Sequence, residues 1–252
     1  MIKEKSNLIN SLISSAKEAG DLQLKYFRKF DELAPEEKSH QNFVTIVDKK
    51  SEELIMKHLQ KDFPDYGFIG EESGMINPSA TKKFIIDPLD GTVNFMKGLP
   101  FFCVSIALAD FSKEKELLDI SQIEAALIFA PVFNEVFHAE KNQGAFFNDT
   151  LINFDNSINK ILCSIGNKNF QNHLLDKNFH SLLEEITHKR FFGAAALELA
   201  YVAIQRIDTF VHMSLNNWDM AAAALILKES GAQVFNHERN SEIFRTKSII
   251  AY

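Results

Sequence analysis

Residues 83–92 read KFIIDPLDGT, and how that stretch is parsed decides the fold around it. Lys83, Phe84, Ile85 and Ile86 form a short run of strand type that stops at Asp87; Pro88 then stiffens the chain, and Gly91 lets a backbone amide approach a ligand closely. Asp87 and Asp90 therefore leave one strand end together, three residues apart on a rigid turn. Loops at strand ends present functional groups, and acids so spaced can converge on a divalent cation. Taken alone, the same residues serve equally well as turn and cap.

Acids recur at comparable places on either side. Residues 66–69 predict a short strand ending in Gly70, followed by Glu71 and Glu72, a pair that solvation alone would explain. Residues 42–47 alternate into a strand that runs into SEELIMKHLQ, where Leu54, Ile55 and Leu59 make a helix face; Asp48 sits at the junction, where an N-cap belongs. Asp219 precedes an Ala-rich helix over residues 220–230 that Gly231 closes, and in isolation it too reads as an N-cap.

Further out, Leu8, Ile9, Leu12, Ile13, Ala16 and Ala19 keep helical spacing, with Gly20 as a weak point, and a polar stretch around Pro35 follows. Residues 101–108 and 124–129 predict long buried strands, and 134–138 return from a turn at Pro131 as a hairpin. From about residue 147, strands at 161–165, 209–213, 232–235 and 247–251 alternate with helices at 180–188, 194–205 and 220–230. The expectation is an α+β subdomain with an antiparallel sheet and most of the acids (1–146), completed by a smaller α/β subdomain (147–252).

Composition excludes several classes of function. The chain has 252 residues, 27 Lys+Arg against 34 Asp+Glu, a net charge of -7 and 46% hydrophobic residues. That is ample for a sizeable core, and it offers no basic footprint for nucleic acid. No uncharged apolar stretch approaches the ~18 residues of a membrane span, and the first twenty residues form no signal-peptide core. Cys103 and Cys163 lie in apolar strands and cannot build a disulfide framework; they read as buried thiols of a cytoplasmic protein, not as nucleophiles.

GEES (71–73 with Gly70), DPLDGT and WDMAAAALILKESG together resemble the inositol monophosphatase family, within the superfamily of lithium-sensitive, magnesium-dependent sugar phosphatases. The likeness continues in order through NFVTIVDKK, FMKGLPFFCVSIALA, NEVFHAEKNQGAFFND and GAAALELAYVAIQRID, so it covers almost the whole chain. It implies a layered αβαβα sandwich of the sugar phosphatase type with the site between two sheets, commonly as a homodimer. It also implies that Glu71, Asp87 and the Leu89 carbonyl hold one Mg²⁺ and that Asp87, Asp90 and Asp219 hold a second, with two or three ions per site. By the same resemblance Asp48 and Thr92 activate the attacking water together with Glu71. Leu89, Asp90, Gly91, Thr92 and Asp219 would face the substrate's phosphate, and Gly193, Ala194 and Ala195 would line a polyol pocket through their amides; close helix packing is the plainer account of those three small residues. An all-oxygen donor set suits Mg²⁺, and the eight histidines show no metal-ligand spacing.

The implied reaction is hydrolysis of the phosphate monoester of a small polyol or sugar by direct attack of water, with inositol 1-phosphate foremost. Such hydrolysis calls for enhancements of up to about 10²¹-fold, whereas a general base supplies about 10²- to 10⁴-fold, so paired cations are needed. His212, seven residues before Asp219, stands where inositol-hydrolysing members usually place a glutamate. A donor there leaves room for a 3′(2′),5′-bisphosphate nucleotidase, a fructose-1,6-bisphosphatase or a histidinol-phosphatase. A haloacid-dehalogenase pattern is excluded, because its acids are two apart on the first strand. From a different class, some bacterial relatives suggest a protein-binding regulator in a transcription complex.

Overall fold

A computed structural model of the chain describes residues 5–30, 36–39, 42–112, 118–156, 161–166 and 186–252. Helix α1 (Asn7–Tyr26) begins at Ser6, whose hydroxyl accepts from the Ile9 N–H, and buries Ile9, Leu12, Ala16 and Ala19 along one stripe. Gly20 does not interrupt it. A Cβ there would lie 2.6 Å from the Phe129 ring, so the glycine is a point of close packing. Of the polar stretch around Pro35, residues 31–35 lie outside the described residues.

β1 (Glu36–Ser39) and β2 (Asn42–Val44) make a two-stranded ribbon, and α2 (Ile46–Asp62) follows at once. The strand expected over residues 42–47 ends at Val44 because Thr45 caps the helix: its hydroxyl accepts from the Val47 N–H, while Asp48 reaches back to the Thr45 N–H at 2.8 Å. Asp48 is thus the third helical residue of a capping box, not the N-cap.

The large sheet contains β3 (Gly67–Gly70), β4 (Gly74–Ile76), β5 (Lys82–Asp90), β6 (Cys103–Asp110), β7 (Ile123–Ala130), β8 (Glu135–Glu140), β9 (Ala145–Phe147) and β10 (Thr150–Leu151), in the order β10-β9-β8-β7-β6-β5-β3-β4. It is antiparallel as expected, except that β3 and β5 run parallel. Period-2 alternation gives it two apolar faces. Phe84 and Ile86 of β5 with Ile106 and Leu108 of β6 pack under α1 and α2; Ile85, Cys103 and Ala107 face the other way.

That second face is covered by α4 (Ala195–Ala203) and α5 (Asn217–Ser230), while the short α3 (Thr92–Met96) follows β5. Helix α5 buries the whole run from Met220 to Leu227, as a helix must when a sheet lies on either side. It ends at Gly231, whose φ of 95° is the left-handed terminator. The small sheet, order β12-β11-β13-β15-β14, consists of β11 (Leu162–Gly166), β12 (His188–Arg190), β13 (Thr209–Met213), β14 (Val234–Phe235) and β15 (Ser248–Ala251), with the one-turn α6 (Ile243–Thr246) before β15. Of the helix expected at 180–188, residues 180–185 lie outside the described residues, and His188 begins β12. Helices, sheet, helices and sheet alternate across the described residues, and one continuous core joins both sheets through α4 and α5. Among the described residues no helix is long and apolar enough to cross a membrane.

Candidate active site

Strand register gathers the acids. In the parallel β3/β5 pair Gly70 stands opposite Ile86, and the Glu71 N–H donates to the Ile86 carbonyl, so Glu71 leaves its strand beside Asp87. The strand expected to stop at Asp87 instead runs on to Asp90 through an irregularity: Asp87 pairs with Ser105, but Asp90 pairs with Cys103. Three steps on β5 thus match two on β6, the one-residue excess of a β-bulge. Without it Asp90 would point to the α1/α2 face; with it both acids share the face that meets α4 and α5. The bulge is also what admits Pro88 to an interior strand. Gln23 of α1 donates to the Pro88 carbonyl at 2.7 Å, and the Leu89 N–H donates to Asp87 Oδ1 at 3.1 Å.

Asp219 enters from α5, again as the third residue of a capping box and not as the N-cap: the Asn216 N–H donates to its Oδ2 at 2.7 Å. Burial drives the Asp87 carboxyl well above its ordinary pKa, and the charges of Glu71, Asp90 and Asp219 drive it further. Burial and Asp219 do the same to Asp90, and burial lifts Asp219 to about 6. Asp87, Asp90 and Asp219 are thus crowded carboxyls whose ionised forms oppose one another. The strongest influences on these three aspartates include no lysine or arginine.

Thr92 closes the group from the other side of the bulge. Its hydroxyl donates to Asp48 Oδ1 at 3.0 Å and lies 3.1 Å from the Leu89 carbonyl. Asp48 Oδ2 is held by the N–H and hydroxyl of Thr45, at 2.8 and 2.5 Å, so its direction is fixed. Gly91, at a φ of 94°, makes the turn into α3, where a Cβ would come within 3.0 Å of the Phe101 carbonyl. Asp48, Asp87 and Asp90 are buried, while Glu71, Thr92 and Asp219 are half-buried, which leaves the group a mouth to solvent.

The loop before α4 lies against Asp90. Ala194, at the N-cap, has no capping side chain; Asp90 supplies one across 105 residues of sequence, accepting from the N–H groups of Ala195 (3.2 Å) and Ala196 (2.7 Å). Glu198 turns back to accept from Gly193 (3.0 Å), Ala194 (3.1 Å) and, weakly, Phe192, and from the Ser164 hydroxyl of β11. The amides of Gly193, Ala194 and Ala195, expected to serve a substrate hydroxyl, are therefore engaged within the protein. Asn94 ties this loop to α3, donating to the carbonyls of Phe101 and Phe192. His212 lies on β13, stacked on Phe210 and pressed against Gly166, where a Cβ would meet its ring at 1.8 Å; burial lowers its pKa to about 4, so it stays neutral near pH 7.

Three residues escaped the sequence. Glu52, one turn after Asp48 on α2, accepts from the N–H groups of Glu72 (3.1 Å) and Ser73 (2.8 Å). Glu198 acts likewise on the loop before α4, and Gln23 donates to the Pro88 carbonyl at the bulge of β5. The sole hint was a Glu or Gln inside an apolar helix face.

Among the described residues no three acidic, histidine or cysteine side chains stand in ready-made liganding positions. Asp87, Asp90 and Asp219 accept from backbone amides instead. The donor set nevertheless fits a hard cation: like charges are gathered in one place, and all the atoms on offer are oxygen.

A pH dependence follows. From the ordinary carboxylate value of 3.8 up to about 6 for Asp219, and over the range by which Asp87 and Asp90 are also raised, the folded protein holds protons that the unfolded chain has released. The contribution of these acids to stability therefore falls as pH rises through that window. Glu36, Asp149 and Glu238 are shifted the other way by their Lys or Arg partners, but they are exposed and screened. His138 and His212, which burial lowers to about 4, oppose the trend, because below pH 6.5 the unfolded chain takes up protons that they refuse. The Mg²⁺-induced rise in melting temperature isolates the acids: it is expected to be larger at pH 7 than at pH 5 in calorimetry. An increment independent of pH would mean that the acids are not crowded in solution.

Comparison with known proteins gives this arrangement its context. The sequence matches the inositol monophosphatase family over residues 4–252. It is 35% identical over 250 residues to a Haemophilus influenzae protein named Nus factor SuhB, covering 97% of this chain and 90% of that one. It is also 35% identical over 249 residues to an inositol-1-monophosphatase of Caulobacter vibrioides, covering 95% and 94%. Among solved structures it superimposes on the extragenic suppressor protein suhB of Bartonella henselae with a TM-score of 0.87 and 36% identity, over 98% of this chain and 93% of that one. With an IMPase of Thermotoga maritima the TM-score is 0.83 at 28% identity, over 98% and 92%. The two mixed sheets and their helical layers are the αβαβα sandwich of those structures, and the chain belongs to the inositol monophosphatase family.

Proposed function

We infer that the protein is a Mg²⁺-dependent phosphatase of small polyol or sugar phosphates, with inositol 1-phosphate as the first substrate to test. What supports this most is the gathering of Glu71, Asp87, Asp90 and Asp219 beside a fixed Asp48–Thr92 hydrogen bond. Glu71, Asp87 and the Leu89 carbonyl would hold one ion, and Asp87, Asp90 and Asp219 another. When bound, Mg²⁺ supplies Lewis acidity toward phosphoryl and leaving oxygens and acidifies water.

The chain's own residues do the rest. Thr92 Oγ1 donates a hydrogen bond to Asp48 and so turns its lone pairs toward an incoming water, accepting a hydrogen bond from it and aiming its oxygen at phosphorus. Asp48 is pinned by Thr45 and keeps that hydroxyl from rotating. Gly91 and Thr92 meet the phosphate at the turn into α3. With the amides at 193–195 engaged, polyol selection falls to atoms around that loop other than those N–H groups. Thr92→Val, which removes the oxygen and keeps the shape, is expected to lower kcat about 10²- to 10⁴-fold while Mg²⁺-induced stabilisation persists. Loss of both together would assign Thr92 to cation binding instead.

The reading is tested by phosphate release from inositol 1-phosphate, fructose 1,6-bisphosphate, 3′-phosphoadenosine 5′-phosphate and histidinol phosphate. A preference for a bisphosphate by about a hundredfold in kcat/KM overturns the choice of substrate. A second reading, a protein-binding role in a transcription complex, is favoured by the relative named Nus factor SuhB, which is as similar as the named phosphatase. Retention of transcription proteins by an inactive Asp90→Asn protein supports it. A cytoplasmic homodimer is part of the proposal, and light scattering measures the assembly.

A further inference from the structure

We propose that Glu52 is a positioning residue: a buried carboxylate on α2 that fixes the turn after Glu71 and thereby sets where the Glu71 carboxyl stands. The inference rests on the cation-dependent reading above. It starts from an unusual cost, since Glu52 is only 2% exposed and a buried carboxylate is unfavourable unless hydrogen bonds compensate it. Here they do. Oε2 accepts from the Glu72 N–H at 3.1 Å and Oε1 from the Ser73 N–H at 2.8 Å.

Both sides of Glu71 are held as a result. On its near side the β3/β5 ladder fixes Gly70 opposite Ile86 and ties the Glu71 N–H to the Ile86 carbonyl. On its far side the only two amides before Gly74 are the ones Glu52 takes. The approach has been cleared for it: at Gly70 a Cβ would lie 2.3 Å from Glu52 Oε2, so a larger residue would push the carboxylate off its amides. The same helix carries Asp48 one turn earlier, aimed at Thr92. One rigid element, α2, therefore sets both the Glu71 turn and the Asp48–Thr92 pair, with side chains four residues apart on one face.

Glutamine is the informative substitution. A carboxylate offers acceptors to both amides, whereas Glu52→Gln turns an NH₂ toward one N–H and must repel it. Residues that orient ligands without touching the ion change metal affinity by about 10- to 100-fold when altered. A role limited to the fold would lower the melting temperature equally with and without the ion. Positioning predicts a loss in the increment.

The experiment measures the rise in melting temperature with Mg²⁺ and the Mg²⁺ affinity by calorimetry, with no substrate present. The proteins are wild type, Glu52→Gln, and Glu53→Gln, an exposed neighbour on the same helix. Expected is an affinity at least about tenfold weaker in Glu52→Gln alone, and, where turnover is assayed, a higher Mg²⁺ requirement with kcat largely restored at saturation. If Glu52→Gln does not fold, Gly70→Ala displaces the same carboxylate with its charge intact and is expected to weaken Mg²⁺ equally. Wild-type affinity in the folded Gln or Ala variant overturns the role of Glu52 and leaves the phosphatase reading standing. A wild-type protein that ignores Mg²⁺ overturns both.

Discussion

Asp87→Asn is expected to reduce phosphate release by more than about a thousandfold and, at pH 7 without metal, to raise the melting temperature. The two signs come from one cause. Asp87 is 2% exposed and crowded by the charges of Glu71, Asp90 and Asp219, each of which makes its ionised form unfavourable. Asparagine keeps the shape, including an oxygen that can accept from the Leu89 N–H, and removes a group that must either carry a buried charge or hold a proton that the unfolded chain has released. The metal-free fold is relieved, in line with the general cost of active-site strain. The same change removes the carboxylate that would serve both ions, an interaction worth several kcal/mol in the transition state. Differential scanning calorimetry alongside a malachite-green phosphate assay reads both quantities. An Asp87→Asn protein that is active, or less stable than wild type without metal, would show that the acids do not oppose one another as described.

Glu198→Ala is expected to produce the largest loss of stability. Its carboxylate is 1% exposed and accepts from the Gly193 and Ala194 amides, the Phe192 amide and the Ser164 hydroxyl, joining the α4 entry loop to β11. Alanine strands those donors and leaves a void. At about 1–3 kcal/mol for each buried group left unsatisfied, partly recovered by entering water, the cost is about 3–5 kcal/mol. For a chain of this size that is a fall of about 10 °C, at roughly 2–4 °C per kcal/mol. Glu198→Gln is the control: its carbonyl can keep the Gly193 and Ala194 amides while its NH₂ donates to Ser164, so about 1 kcal/mol is lost. Equal melting temperatures for the alanine and glutamine variants would dismiss the acceptor role.

The identity of the acids was legible because each sits in a short motif at an element boundary. Their directions were less so. Asp87 and Asp90 share a face because of a bulge, and a period-2 pattern cannot be followed through Pro88 to reveal an extra residue. Asp48 and Asp219 looked like N-caps because each precedes an obvious apolar run; the caps are Thr45 and Asn216, three residues earlier, and the T-x-x-D spacing of Thr45 and Asp48 was the visible clue. The parallel pairing of β3 with β5 had no local signal, since register between strands is set by the sheet as a whole. Glu52 and Glu198 were hidden for a different reason. A glutamate on a helix is ordinarily solvated, and only tertiary packing shows that these point inward to hold loops 20 or 21 residues away and 4 to 6 residues away. The amides at 193–195 illustrate the converse, small residues whose backbone the fold itself consumes.

Asp90 caps a helix whose first residues lie 105 positions downstream, and Asp219 comes later still. On the ribosome the large sheet can emerge and pair before either arrives, because β3 to β10 are complete by Leu151. Such a nascent chain presents Glu71, Asp87 and Asp90 on an open face, with the amide partners of Asp90 still unsynthesised. Docking of α4 and α5 is then a late, long-range event of the slow kind that high sequence separation imposes. The full set of acids and the closing of the two halves thus depend on the same late residues, and a chain halted before Asp219 is translated has neither.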